Sequence, residues 1–209
     1  VLLLAGVGLS LFFKQRENAQ KILLGGEIEL VSPDELPAIE HAVLRDRSKV
    51  FSRVIDMQAA LLLPKGSLMT AIRLFDRNYP LLGALTIDKG SFDALFIHDK
   101  AKAIYGVAVN EAFMKASGLR MGSYFILSKK TYQIRGLVGQ LPDAAGQQAL
   151  RTGPFLLLRA EHAPDNSMFE AATNLTYRYR LMLNAMGPDE FTFAFQQKFP
   201  QSRTQIMAW

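Results

Sequence analysis

LTYRYRLML at residues 175–183 alternates without a break, and PDEFTFAFQQKF at residues 188–199 follows it with a helix start and an apolar stripe. The period of two places Tyr177, Tyr179 and Leu181 on one face of a strand, with Arg178, Arg180 and Met182 on the other. Pro188-Asp189-Glu190 opens a helix on which Phe191, Ala194, Phe195 and Phe199 share a face, and Pro200 stops it. Gln205 to Trp209 supplies a further strand. The opening of the chain has the same order. Glu27-Ile28-Glu29-Leu30-Val31 alternates, Pro33-Asp34-Glu35 starts a short helix with Leu36, Ile39 and Val43 on one face, and an extended run follows from Lys49 to Leu63. Strand, helix and strand at both ends, packed as one sheet with two helices on one face, predict an α+β, ferredoxin-like (porter-type) βαβ arrangement. In that arrangement the phenylalanine stripe is the face the second helix buries.

Between these ends the chain is dense in turns. Pro64-Lys65-Gly66-Ser67 joins the long extended run to Leu68–Phe75 as a hairpin, which Asp76-Arg77-Asn78-Tyr79-Pro80 ends. Leu81 to Ile87 reads as a short strand or loop. Asn110 can cap a helix through Ala116 with Gly118 just past its end. Tyr124–Leu127 and Thr131–Val138 read as a second hairpin around Ser128-Lys129-Lys130, and Leu141 to Gly153 as a mobile linker. The expected division is residues 1–24 as the end of a membrane helix and its stalk, 25–87 with 154–209 as the porter-like part, and 88–153 as an inserted small β-rich subdomain.

The membrane expectation rests on Val1–Phe13, VLLLAGVGLSLFF, which carries no charge. Thirteen helical residues reach only ~20 Å of a ~30 Å hydrocarbon core, so the rest of the crossing is expected upstream. A buried helix of a soluble fold and a cleaved secretory signal are the other readings of such a run; the second lacks a preceding basic stretch and a small-residue cleavage site. Lys14 to Leu24 continues as a helix until Gly25-Gly26, which reads as either a joint or a tight turn. Lys14, Arg16 and Lys21 crowd this flank, and the positive-inside tendency assigns it to the cytoplasm.

Composition excludes more than it selects. Apolar residues make up 49% and charged residues 21%, ordinary for a globular fold. The net charge of +5 is spread out, without the basic stripe or motif that nucleic-acid binding needs. There is no cysteine, hence no disulfide framework and no thiolate metal site. His41, His98 and His162 are too far apart in sequence for paired ligation on one helix and read as surface or capping residues. Asp88, Asp93 and Asp99 do not have the spacing of a calcium loop and read as solvated carboxylates. Neither a Gly-x-Ser-x-Gly elbow nor a phosphate-binding loop ending in Gly-Lys-Ser/Thr occurs. The residues therefore indicate no catalytic, cofactor-binding or metal site, and the chain reads as a non-enzyme.

Several short stretches, in order, resemble the first extracytoplasmic domain of FtsX-like and MacB-like ABC transporter permeases, nearest to the YbbP-type branch. They are Leu23-Leu24-Gly25-Gly26-Glu27-Ile28-Glu29-Leu30, Asn78-Tyr79-Pro80-Leu81-Leu82-Gly83, Gly118-Leu119-Arg120-Met121-Gly122, Tyr132-Gln133-Ile134-Arg135-Gly136, Pro142-Asp143, Gly153-Pro154 and Leu175–Leu181. Ser123 and Leu141 stand where the family often has aspartate and glutamate. The resemblance implies a bacterial inner-membrane permease subunit with residues 25–209 outside the membrane, opposite to the side the basic flank suggests. It implies mechanotransmission, in which ATP hydrolysis by a separate cytoplasmic ABC ATPase drives work outside the membrane. A second permease copy or pseudo-symmetric half, membrane lipid and a periplasmic esterase or other periplasmic protein are the further implied partners, with lipid-like or hydrophobic substrates. The alternative is a membrane-anchored extracytoplasmic binding or assembly module without a transport role.

Overall fold

The computed structural model describes residues 25–95, 97, 103–143, 150 and 152–208. The apolar run at 1–13, its basic flank, His98, Asp99 and Trp209 lie outside the described residues. Among the described residues no helix is long and apolar enough to cross a membrane.

Ten strands form one sheet: β1 (Ile28–Ser32), β2 (Ser48–Leu63), β3 (Gly66–Phe75), β4 (Thr86–Gly90), β5 (Ile104–Val109), β6 (Tyr124–Leu127), β7 (Lys130–Gln140), β8 (Phe155–Arg159), β9 (Thr173–Leu183) and β10 (Gln205–Ala208). Their order is β10-β1-β9-β2-β3-β8-β5-β7-β4, with β6 paired to β7. Among the described strands only β3–β8 and β5–β7 pair in parallel. Among the described residues four α-helices accompany them: α1 (Ala38–Arg47), α2 (Glu111–Ser117), α3 (Asn166–Ala171) and α4 (Pro188–Lys198). The two ends of the chain meet in the all-antiparallel run β10-β1-β9-β2, with α1 linking β1 to β2 and α4 linking β9 to β10.

Both of these helices lie on one face. Leu44 of α1 and Phe191 and Phe195 of α4 pack with Ile28, Leu30, Tyr179, Leu181 and Leu183. Full burial of each such side chain stabilises by about 1.5–3 kcal/mol relative to exposure, which sets the register of both strands. The tyrosines of the alternating stretch therefore point toward the helices and its arginines away from them. Two expected positions differ: Ala194, expected on the stripe of α4, is exposed, and Ile39 does not face the sheet. Ile39 is 62% exposed, whereas Leu36, Glu40 and Leu44 are buried. The helix begins only at Ala38, after Pro37 in extended conformation, and this rotates its buried stripe by one residue from the expected one.

The middle section is continuous with this sheet. β8 lies between β3 and β5, through Ala71↔Phe155 to Phe75↔Arg159 on one side and Ala108↔Leu157 and Val109↔Leu156 on the other. Asn110 caps α2 by accepting from the Phe113 N–H at 2.9 Å, and Gly118 closes it with φ of +72°. The Asn110 side chain also reaches the backbone around β8, accepting from Phe155 N at 3.1 Å and donating to Gly153 O at 2.7 Å. The segment expected to be a mobile linker is packed where it is described, since Leu141, Asp143 and Leu150 are all buried.

Candidate functional site

The face of the sheet opposite α1 and α4 carries a buried ion network. Glu29 of β1 is opposite Arg180 of β9, Ser52 of β2 is opposite Arg180, and Asp56 of β2 is opposite Arg73 of β3. The pleat turns these residues to the same side because each is one register step from the apolar residues that face the helices. Arg73 binds Asp56 with two parallel hydrogen bonds, Nε to Oδ1 at 2.7 Å and Nη2 to Oδ2 at 2.8 Å. Its Nη1 donates to Asp143 at 2.9 Å and to the Tyr79 hydroxyl at 3.1 Å. Arg180 donates from Nε and Nη2 to Glu29 Oε1 at 3.0 and 2.9 Å, and its Nη2 also pairs with Asp143 Oδ2. Arg178 bridges Asp56 at 3.0 Å and Glu29 at 3.3 Å.

Three arginines thus balance three carboxylates across β1, β9, β2, β3 and the segment after β7. Tyr79, just beyond β3, lies beneath two of the cations, with the Arg73 and Arg180 guanidinium carbons 5.7 and 5.8 Å from its ring centre. Its hydroxyl donates to Asp143 Oδ1 at 2.6 Å. Burial pushes this phenol well above its ordinary pKa, so it remains a donor. Burial alone would raise the Asp143 carboxyl as well, but Arg73 and then Arg180 outweigh it and hold Asp143 below the usual carboxylate range. At Arg73, burial opposes the charge, and Asp56 and Asp143 more than reverse that effect. The Ser52 hydroxyl is fully buried and donates to Asp76 Oδ1 at 2.8 Å, and the cluster's carboxylates are held by cations. Its chemistry is to fix positions.

The first described residues are built against this cluster. Gly25 has φ of +76°, and a Cβ there would lie 2.9 Å from Arg180 Cδ and 3.1 Å from Nε. A Cβ on Gly26 would lie 3.0 Å from the Leu181 carbonyl oxygen. The Glu27 carboxylate then accepts from Leu183 N at 2.8 Å. The glycine pair is a turn packed directly on β9, and glycine is what permits the close approach.

The other candidate residues do not converge. His41 is half-buried on α1, edge-on to Phe51 and Tyr179 at 5.1 and 5.5 Å, and lines an open 650 Å³ depression with Arg45, Arg53 and Glu35. Burial, then Arg45 and Arg53, lower its pKa below 6.5. His162, expected as a surface or capping residue, is buried, with its ring 5.1 Å from that of Tyr105 and its carbonyl accepting from the Tyr132 hydroxyl at 2.6 Å. The reason is that the short turn Ala160–His162 follows directly on the buried strand β8 and folds back over Tyr132. Asp88 is exposed on β4. Among the described residues no group of three His, Asp or Glu is placed to hold a metal ion.

The alternation puts Arg178 and Arg180 together on one face of the strand and does not report whether that face is buried. The signal that identifies them as buried lies elsewhere. Arg73 is the one charged residue of β3 and Asp56 the one carboxylate of β2, and the hairpin places them opposite each other.

No family model matches the chain, and no curated protein matches it. Solved structures do. The periplasmic region of MacB from Actinobacillus actinomycetemcomitans aligns with a TM-score of 0.55 at 12% identity, over 88% of this chain and 89% of that one. A domain of a permease protein from Porphyromonas gingivalis aligns with 0.51 at 13% identity, over 89% and 92%. The extracellular domain of the ABC-type transporter YknZ from Gram-positive bacteria aligns with 0.52 at 8% identity, over 86% and 98%. Each match spans nearly the whole of both chains, so the likeness includes the middle section as well as the end-built part. The chain has the fold of the periplasmic and extracellular domains of MacB-like ABC transporter permeases.

Proposed function

We propose that this chain is the extracytoplasmic part of an ABC transporter permease subunit, nearest to the YbbP type, and that it moves as a stiff lever. The observation that carries the reading is the packing of Gly25-Gly26 on Arg180, whose guanidinium joins β1 to Asp143. Movement arriving along residues 1–24 from a cytoplasmic ATPase would meet a strand that is ion-paired to its neighbours. It would therefore pass to the whole sheet rather than be absorbed at the glycines. In this reading the β10-β1-β9-β2 part with its two helices is the ferredoxin-like, porter-type unit of residues 25–87 and 154–209. Residues 88–153 are a β-rich insertion that moves with it, because β8 and β5 are hydrogen-bonded. The ATPase, a second permease copy or pseudo-symmetric half and the surrounding inner-membrane lipid are the partners. Lipid-like or otherwise hydrophobic cargo, and a periplasmic esterase to receive it, carry over from the YbbP-type resemblance.

Spin labels test this in the full permease with its ATPase. A label at Ser67→Cys, exposed in the β2–β3 hairpin, should change its distance to a label on the second copy or half between nucleotide-free and ATP-trapped states. Labels at Ile39 and Lys89 within one domain should keep theirs. An unchanged distance between copies in a turning-over complex would refute the lever.

A further inference from the structure

The β2 strand outruns its neighbour. Its last pairing with β9 is Gln58↔Thr173, whereas on the other side it remains paired to β3 through Ala59↔Thr70, Ala60↔Met69, Leu61↔Leu68, Leu62↔Ser67 and Leu63↔Gly66. Among the described residues, the outer edge of Ala59–Leu63 therefore has no strand beside it. A groove of 630 Å³ runs along this edge, bounded by Ala59–Leu62, by Ile126–Ser128 at the end of β6, and by Ser167, Met168 and Ala171 of α3. A contact of 3.2 Å between the Ser128 and Ser167 hydroxyls joins the two far walls.

Three features distinguish this edge from an ordinary strand end. The groove lining contains no charged residue. Folded proteins ordinarily blunt a free edge with a lysine, an inward charge, a proline, a bulge or a covering helix or loop; Ala59–Leu63 carries no charge or proline of its own, and α3 and the end of β6 stand off it across the groove rather than pairing with it. The surface around it is also apolar and exposed, with Leu62 at 83%, Ile126 at 67% and Met69 at 56%. Ala59, Leu61 and Leu63 point into the core, so the edge itself is held rigidly.

We propose that Ala59–Leu63 is a strand-addition site that takes an extended, uncharged segment of another polypeptide, apolar at alternate positions. A strand is the occupant because what lies open is a row of backbone N–H and C=O groups, and only another backbone satisfies that row at the spacing of a sheet. Alternate side chains of the guest face the Leu62, Met69 and Ile126 surface. An acyl chain would fill the apolar volume and leave the backbone groups unmet.

The test uses the 209-residue chain, isotope-labelled, and a synthetic peptide alternating threonine and valine between flanking lysines. Amide signals of Ala59–Leu63 and of Ile126–Ser128 should shift on titration, and hydrogen exchange at Ala59–Leu63 should slow. The same peptide N-methylated at alternate residues should bind at least about tenfold more weakly, as expected for two or three lost hydrogen bonds. Leu62→Asp and Ile126→Asp, both at exposed positions, should weaken binding while leaving the rest of the spectrum unchanged. Equal binding of the methylated peptide, or shifts with a short-chain detergent that compete with the peptide, would overturn strand addition in favour of an apolar-ligand groove. Absence of any shift at millimolar peptide would overturn it outright. Self-association abolished by Leu62→Asp would identify the guest as a second copy and overturn the assignment to another polypeptide.

Discussion

Replacing Asp143 by asparagine changes the buried balance from three arginines against three carboxylates to three against two, with almost no change of shape. Asp143 and both its cationic partners are essentially without solvent contact, so water cannot screen the excess charge. Removing one member of a buried ion pair costs about 3–5 kcal/mol, because the partner stays buried without compensation. For a chain of this length, each kcal/mol shifts the melting midpoint by about 2–4 °C, so Asp143→Asn should lower it by roughly 6–20 °C. Near-ultraviolet circular dichroism during heating measures this. The folded pKa of Asp143 lies below its unfolded value of about 3.9. Its stabilisation is therefore complete above about pH 4 and is lost as the pH falls through the lower folded value. The gap between parent and variant should be largest near neutrality and close on acidification. A loss under about 1 kcal/mol at pH 7, or a gap that persists unchanged in strong acid, would refute the assignment of Asp143 as the joint between Arg73 and Arg180.

Four further outcomes follow from the same structure. Gly25→Ala forces a side chain into a left-handed position against Arg180 and should destabilise by about 1–3 kcal/mol in urea unfolding, whereas a substitution at Gly187, with open space around it, should cost under about 1. Asn110→Ala removes the α2 cap and two contacts to the start of β8, and should cost about 2 kcal/mol, the upper range for a cap, by the same assay. Phe195→Ala opens a cavity between α4 and the sheet and should cost about 3–5 kcal/mol. His41, with its folded pKa below 6.5, contributes fully above that pH and loses its contribution as the pH falls through the folded value; His41→Phe should flatten this part of the stability–pH curve.

Much of the end-built part was legible because its pattern is local. The alternation of Leu175–Leu183 and the stripe of Phe191 and Phe195 each report which face packs against the other; in the middle section the Asn110 and Gly118 caps are likewise written in residue type. The central strands β5 and β8 were not anticipated, because Ile104–Val109 and Phe155–Arg159 are short apolar runs without alternation. Strands covered on both faces look like this, and periodicity cannot find them. The ion network escaped for a related reason. Each charge considered alone belongs to an ordinary polar face, and only the pairing of β1 with β9 and of β2 with β3 brings Glu29, Arg180, Asp56 and Arg73 onto one buried surface. Asp143 sits among turn-forming residues, and its burial depends on Arg73, seventy positions earlier. That contact has no local signature.

The absence of cysteine makes the decisive measurement direct. Ser67→Cys would be introduced into the full protein, with any cysteines elsewhere removed, and intact cells would be treated with a membrane-impermeant thiol reagent shown to reach the periplasm. Labelling before lysis is the predicted result and places the sheet outside the inner membrane. Labelling only after lysis, in a folded protein, would contradict the permease reading and put the domain on the side that Lys14, Arg16 and Lys21 favour.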